Sequence, residues 1–219
     1  MGYSTVYIGE IEIEGIVPTN VFDYINEFSE IRHMKRDNKK IKELDVNYKV
    51  KIFDYKLGTE GEYYVNCTDP LIGDLELKES VVDYNNPPST QPGLWCQWIL
   101  KGERGIDGYE NVKIQWNKTE KFYDGYEWLK YIIDNFLKKK NLVCNGLLSS
   151  IDDYGNVQYI FVLNNHVILY DEYEAAERQL YSYRKERNVF KEASLLDYEK
   201  LEIKRKEWYK SLYGWCSYF

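Results

Sequence analysis

The chain has 219 residues, of which 44% are hydrophobic and 30% are charged, and its formal net charge is −7. A chain of this length and composition can bury a substantial core, which excludes a wholly disordered protein. The acidic balance argues against a surface for nucleic acid or an anionic membrane, and no apolar run approaches the about 20 residues that span a bilayer.

The N-terminal stretch MGYSTVYIGEIEIEG lacks the basic and apolar regions of a signal peptide. We therefore expect an intracellular, cytoplasmic protein, located in the host cytoplasm if the lineage is viral. The four cysteines stand far apart and form no Cys-x-x-Cys pair: Cys67, Cys96, Cys144 and Cys216. This spacing predicts reduced, buried thiols rather than a zinc site, and we expect no metal and no cofactor.

The first half of the chain predicts a strand, a helix and a loop. Residues 6–16 alternate isoleucine and valine with polar side chains, as a half-buried strand does. Thr19 is placed to cap a helix that ends near Arg32. The basic stretch IRHMKRDNKKIKELDVN then predicts a solvated loop, with contact to an acidic partner as the alternative. Residues 48–66 predict one or two short strands.

The second half predicts a hairpin, a helix and a three-stranded meander. Residues 94–100 alternate as a strand, with Trp95 and Gln97 on one face and Trp98 on the other, and residues 111–116 form the second strand of the hairpin. Asn117 stands three residues before Glu120, as in a capping box, and predicts a helix down to Lys138. The meander strands cover residues 142–148, 157–163 and 166–170.

This order predicts an α+β fold, a mainly antiparallel sheet with two helices packed on one face. A doubly wound nucleotide-binding fold is not expected, because the chain has no repeated βαβ pattern and no glycine-rich phosphate loop. Residues 1–170 are predicted to be the core domain and 171–219 a C-terminal helical extension, with helices near 172–192 and 195–211. The extension ends in aromatic residues that are candidates for contact with a partner: Trp208, Tyr213 and Trp215.

The stretch VVDYNNPPSTQPGLWCQW, residues 81–98, has an unusual composition for a surface loop, with three prolines, two tryptophans and a cysteine. Its three prolines restrict the backbone to extended shapes, so it predicts a rigid loop that leads into a strand. Two interpretations remain open: a preformed aromatic binding cleft, or a loop held on the sheet by its own aromatic side chains. The candidate binding residues of the first interpretation are Asp83, Tyr84, Asn85, Trp95, Gln97 and Trp98.

Several segments resemble a family of short uncharacterised bacterial and prophage proteins. The resemblance rests on this stretch, on the opening MGYSTVYIGEIEIEG, on RHMKRD at 32–37, on EKFYDGYEWLKYII at 120–133 and on Asn145-Gly146. It covers about residues 1–168 and implies no catalytic or binding residue. The chain departs from the family at Leu147-Leu148-Ser149-Ser150, where that family commonly has an acidic strand with a tryptophan, and in its tail after residue 170.

Three arrangements of reactive side chains are possible, but their spacing is generic. They are Cys96 with His33 or His166 as nucleophile and base, Asp83 with Glu120 or Asp124 as paired acids, and Asp83, Asp152 and Asp153 as metal ligands. We therefore expect a non-enzymatic binding or assembly module of a bacterial, phage or large-virus lineage. Its partner is expected to be another protein or a second copy of the chain, bound through the C-terminal helices. The alternative is a hydrolase-like or nucleotide-acting enzyme with a cleft beside the 83–98 loop.

Overall fold

The computed structural model describes residues 5–44, 57–65 and 75–170. The strands and α-helices in these ranges are β1 (Thr5–Glu14), α1 (Thr19–Glu30), β2 (Lys35–Arg36), α2 (Asn38–Leu44), β3 (Val81–Asp83), β4 (Trp98–Arg104), β5 (Tyr109–Trp116), α3 (Gly125–Ile132), β6 (Val143–Asp152), β7 (Val157–Leu163) and β8 (His166–Tyr170). Helix α3 continues into a π-helical turn, Ile133–Leu137, and a short 3-10 turn, Lys138–Lys140.

Six strands form one antiparallel sheet in the order β4-β5-β1-β6-β7-β8. The N-terminal strand β1 lies in the middle, between the β4–β5 hairpin and the β6–β7–β8 meander. Its register places Ile11 beside Ile114 on one side and Ile13 beside Cys144 on the other. Strands β2 and β3 form a separate two-stranded ribbon. The predicted α+β class with an antiparallel sheet is confirmed.

The main core lies between α1, α3 and one face of this sheet, which we call the inner face. The alternation in β1 turns Ile11 and Ile13 into this core, where they are 0% and 4% exposed. Helical spacing gives α1 a stripe that includes Ile25 and Phe28, and α3 contributes Trp128 to the same cluster. Both helices therefore bury their apolar stripe against the sheet.

The opposite, outer face of the sheet has two halves of different character. On the β4–β5–β1 half, Glu10 pairs with Lys113 and accepts a hydrogen bond from Gln115. On the β6–β7–β8 half, apolar residues are cross-strand neighbours, and Phe161 is completely buried. Ile151 on this half is 1% exposed. The outer face therefore carries a second apolar layer outside the main core.

The predicted start of the long helix is wrong. Helix α3 begins at Gly125, because Lys118 and Lys121 have φ angles of 68° and 63°, in the left-handed region that a right-handed helix cannot include. The side chain of Asn117 accepts a hydrogen bond from the Thr119 amide at 2.9 Å. It therefore closes a local turn instead of capping a helix.

The predicted solvated loop after α1 is also wrong for part of its length. The Asp37 carboxylate accepts a hydrogen bond from the Lys39 amide at 2.8 Å and so caps α2. Ile41 of α2 is buried against Leu57 and Tyr64 in a small second cluster. Ile41 is surrounded by lysines in the sequence of α2, so the short helix shows no amphipathic pattern from which it could be predicted.

Two further predictions are corrected or left untested. The strand predicted over 94–100 begins only at Trp98, and the described part of 48–66 holds a 3-10 turn, Thr59–Gly61, rather than a strand. The predicted helices after residue 170 and the domain boundary there lie outside the described residues. No helix in the described part of the chain is long and apolar enough to cross a membrane.

Candidate binding surface around the proline-rich loop

The loop between β3 and β4, residues 84–97, begins with a turn that Asp83 organises. Its carboxylate accepts hydrogen bonds from the Asn85 amide at 2.9 Å and from the Asn86 side chain at 2.8 Å. The hydrogen bond from the Asn86 side chain is the main reason that the pKa of Asp83 lies below its ordinary value. Asp83 therefore fixes the entry of the loop, and Asn85 lies exposed at the turn.

Hydrogen bonds hold the rest of the loop along its length. The Lys35 amide donates to the Asn86 carbonyl at 3.1 Å, and the His33 amide donates to the Leu94 carbonyl at 2.9 Å. In the middle, the Ser89 amide donates to the Glu60 carboxylate at 2.8 Å. Together with the prolines, these hydrogen bonds leave the loop little conformational freedom.

A buried polar layer supports the loop from below. The Gln91 side-chain amide donates to the Glu62 carbonyl at 2.6 Å, and the Tyr131 hydroxyl donates to the Glu62 carboxylate at 2.6 Å. All three residues are buried. Burial is the main reason that the pKa of Tyr131 lies above its ordinary value, so this hydroxyl keeps its proton and donates.

On the surface of the loop, Arg32 lies between two aromatic rings. Its guanidinium carbon is 4.3 Å from the centroid of Tyr84 and 5.6 Å from that of Trp95. The Arg32 Nε also donates to the Tyr84 carbonyl at 3.2 Å. Tyr84 is 49% exposed, and Val82 beside it is 70% exposed. We call Arg32, Tyr84 and Trp95 the arginine sandwich.

The other two candidate binding residues are buried in the sheet edge. Trp98 is 0% exposed and donates from Nε1 to the Gly125 carbonyl at 2.7 Å. Gln97 donates to the Glu120 carbonyl at 3.0 Å and accepts from Trp116 Nε1 at 2.9 Å. Gln97 therefore contacts the segment before α3, and Trp98 contacts the first residue of α3. Asp83, Tyr84, Asn85 and Trp95 are the candidates that the fold leaves at the surface.

The side chains considered for thiol catalysis lie in unsuitable environments. Burial raises the pKa of the Cys96 thiol to about 12, so the reactive thiolate is absent near neutral pH. His166 lies on β8, at the opposite edge of the sheet from β4, the strand that follows Cys96. Burial lowers the pKa of His33 to about 3. The buried states of Cys96 and His33 and the position of His166 therefore do not favour a Cys–His pair.

The acidic side chains considered for catalysis or metal binding have structural contacts. The Asp83 carboxylate is engaged in its turn, and that of Asp152 accepts hydrogen bonds from the Tyr154 and Asn156 amides at 2.9 Å. Burial is the main reason that the pKa of Asp124 lies above its ordinary value. Among the described residues, no three histidine, cysteine, aspartate or glutamate side chains are grouped as metal ligands.

Sequence reasoning missed Arg32 as a member of the site, because it stands 52 positions before Tyr84. The antiparallel contact between Arg32 and Trp95 brings the two segments together, and such a pairing leaves no signal in local periodicity. The predicted partner-contact residues Trp208, Tyr213 and Trp215 lie outside the described residues.

Comparison with protein-family models, curated proteins and solved structures found no match to this chain. The resemblance to short bacterial and prophage proteins therefore stays a prediction.

Proposed function

We propose that this protein is a non-enzymatic binding module that uses the arginine sandwich to bind an acidic segment of another protein. The observation that carries the proposal is the Arg32 guanidinium held between Tyr84 and Trp95 on a rigid loop. Tryptophan, tyrosine and arginine are the residues most enriched at the energetic centres of protein interfaces. A group of all three suits such a centre, with Tyr84 exposed and Arg32 and Trp95 half-buried beside a loop fixed from both ends.

The hydrogen bonding of Arg32 supports a partner that presents a carboxylate. A guanidinium has five N–H donors, and the described contacts of Arg32 use only the one on Nε. Within the described ranges, Arg32 forms no ion pair. The two rings and the Nε hydrogen bond hold the guanidinium at this place, and its terminal amino groups match the two oxygens of a carboxylate.

The surrounding charge favours the same partner. Although the chain is acidic overall, residues 32–42 contain several basic side chains, and Lys39 and Lys40 are exposed on α2. A local positive surface on a negative protein steers an acidic segment toward this side of the molecule and repels it elsewhere. We infer that these lysines add to the rate of association, whereas the arginine sandwich supplies the affinity.

Peptide selection tests the proposal. A displayed library of random peptides is selected on the immobilised full-length protein, and the dissociation constants of the selected peptides are measured by fluorescence polarisation. We expect acidic peptides, and we expect Arg32→Gln to weaken their binding by about tenfold or more, as the loss of a charged hydrogen bond does. Tyr84→Ala is expected to act in the same direction, because it removes one wall of the sandwich.

The matched control is Arg104→Gln, which removes an exposed arginine at the end of β4 that lies away from the loop. Thermal melting of each variant must show that the fold persists. Trp98→Ala is unsuitable as a probe, because Trp98 lies in the core and its loss would destabilise the protein itself. Peptides with no acidic preference, or equal binding to the Arg32→Gln and Arg104→Gln variants, would contradict the proposal.

A further inference from the structure

A groove of about 580 Å³ lies on the inner side of the sheet, next to the start of α3, and the arginine sandwich does not line it. Its floor comes from β1, β6, β7 and β8, and its wall from Tyr123, Tyr126 and Glu127. The size suits a small ligand or a single long side chain of another molecule. The loop surface and this groove share no residue, so they are separate candidate sites.

Two hydroxyl side chains on the floor form no hydrogen bond within the described part of the chain. Ser150 is 6% exposed and Thr5 is 8% exposed, and both line the groove. Ser150 lies beside Tyr7 in the register of β1 and β6, and Thr5 lies beside Asp152. Because neither oxygen is among the fully enclosed polar atoms, both can bond to water or to a ligand in the groove.

The charge of the groove selects the class of ligand. Among the described residues that line it, Glu127 and Asp152 are acidic and none is basic. Glu127 is exposed in the first turn of α3, and the two carboxylates together make the groove negative. Anionic ligands such as phosphates are therefore disfavoured, and a positive charge is favoured.

The aromatic side chains that line the groove also favour a positively charged ligand. Tyr7, Tyr123 and Tyr126 all line it, and the faces of tyrosine rings attract organic cations. An ammonium group has three N–H donors and no acceptor, which matches the Ser150 hydroxyl and the Glu127 carboxylate. Both oxygens of Asp152 accept hydrogen bonds within its own turn, so Asp152 adds negative charge to the groove. We propose that this groove binds an aliphatic ammonium group, carried by a small amine or by a lysine side chain.

Titration with 1,5-diaminopentane tests the proposal, with 1,5-pentanediol as an uncharged probe of the same length. Chemical shifts of the backbone amides of the full-length protein are followed by NMR. The diamine is expected to give saturable shifts at residues around the groove, and the diol is expected to give none. Glu127→Gln should weaken the diamine by about fivefold, the upper range for an exposed ion pair, and Ser150→Ala should also weaken it.

Glu43→Gln is the matched control, since it removes an exposed carboxylate on α2. Arg32→Gln should leave the diamine affinity unchanged, which separates this proposal from that for the arginine sandwich. Equal shifts with the diol, no saturation at groove residues, or the same loss for Glu43→Gln as for Glu127→Gln would overturn the assignment of an ammonium site.

Discussion

His33 is a titratable side chain placed inside the aromatic core. Its ring centroid is 4.3 Å from that of Phe28 and 4.9 Å from that of Trp128, and the residue is 3% exposed. Because burial disfavours the charged imidazolium, the pKa of His33 falls from 6.5 to about 3. The folded protein thus contains neutral His33 at every pH at which it is normally handled.

The pKa of His33 predicts a pH dependence of stability. Between pH 6.5 and about 3 the unfolded chain binds a proton that the folded protein does not, so the contribution of His33 is complete above pH 6.5 and is lost on acidification. We expect the free energy of unfolding to fall by up to about 1.4 kcal/mol per pH unit from this residue. Urea unfolding from pH 7 to pH 5 should show a shallower pH dependence for His33→Gln than for the wild type.

The control for this measurement is His166→Gln, which changes an exposed histidine on β8. It should leave the pH dependence of the wild type in place. Parallel curves for the wild type and the His33→Gln variant would show that burial of His33 does not control the acid sensitivity of the fold.

At the scale of single residues, the sequence could not show which candidate residues of the loop are buried and which are exposed. Alternation predicted that Gln97 and Trp98 face opposite ways, yet Cys96, Gln97 and Trp98 are all buried. The strand begins only at Trp98, and before it the chain does not alternate between two faces. The hydrogen bonds of Gln97 to Trp116 and to the Glu120 carbonyl depend on tertiary contacts that periodicity does not encode.

At the scale of elements, the start of α3 is fixed by its close approach to β1. Gly125 is buried at the first position of α3, and a Cβ atom there would lie 2.3 Å from Cζ and from the hydroxyl oxygen of Tyr7. Tyr7 in turn packs edge-on against Trp98 and Phe122, with ring centroids 5.0 Å and 5.3 Å away. Because glycine has no side chain, the start of α3 can approach β1 while Tyr7 keeps its contacts with Trp98 and Phe122.

Gly125→Ala is therefore expected to destabilise the fold. The added methyl group would displace Tyr7 from its aromatic contacts, and overpacking of this kind costs about 1–3 kcal/mol. Chemical denaturation of the variant should show a lower midpoint at an unchanged slope. Gly105→Ala is the control, because its nearest neighbour is the movable carboxylate of Glu110; an equal loss in both variants would argue against the clash.

Elements with long, regular patterns were predicted from the sequence, and elements set by turns were not. The helical spacing of α1 and the alternation of β5, β7 and β8 gave nearly the observed bounds. Helix α2 was missed because Ile41 is its only buried residue, and α3 was started early because nothing in the sequence shows the positive φ angles at Lys118 and Lys121.

At the scale of the whole molecule, the outer apolar layer of the sheet is a second buried region beside the main core. Strand β8 ends at the sheet edge, and Tyr170 is paired with Tyr159 on the outer face, near Phe161. Phe161 and Ile151 of this layer are 0% and 1% exposed. The described residues alone leave this face without a packed helix.

Truncation after Tyr170 tests the predicted core domain. We expect residues 1–170 to unfold cooperatively, as an independent domain does. Gel filtration and the fluorescence of a hydrophobic dye measure whether the outer apolar layer stays covered in the truncated protein. A non-cooperative transition would contradict an independent core domain.

The position of β1 at the centre of the sheet also governs the order in which the protein can fold on the ribosome. Thr5 pairs with Asp152, and Ile11 pairs with Ile114, so β1 is synthesised more than a hundred residues before the strands that it pairs with. Until then its isoleucines have no sheet to join, and the growing chain carries an unpaired apolar strand. The nascent protein is therefore expected to depend on chaperones until β6 has emerged.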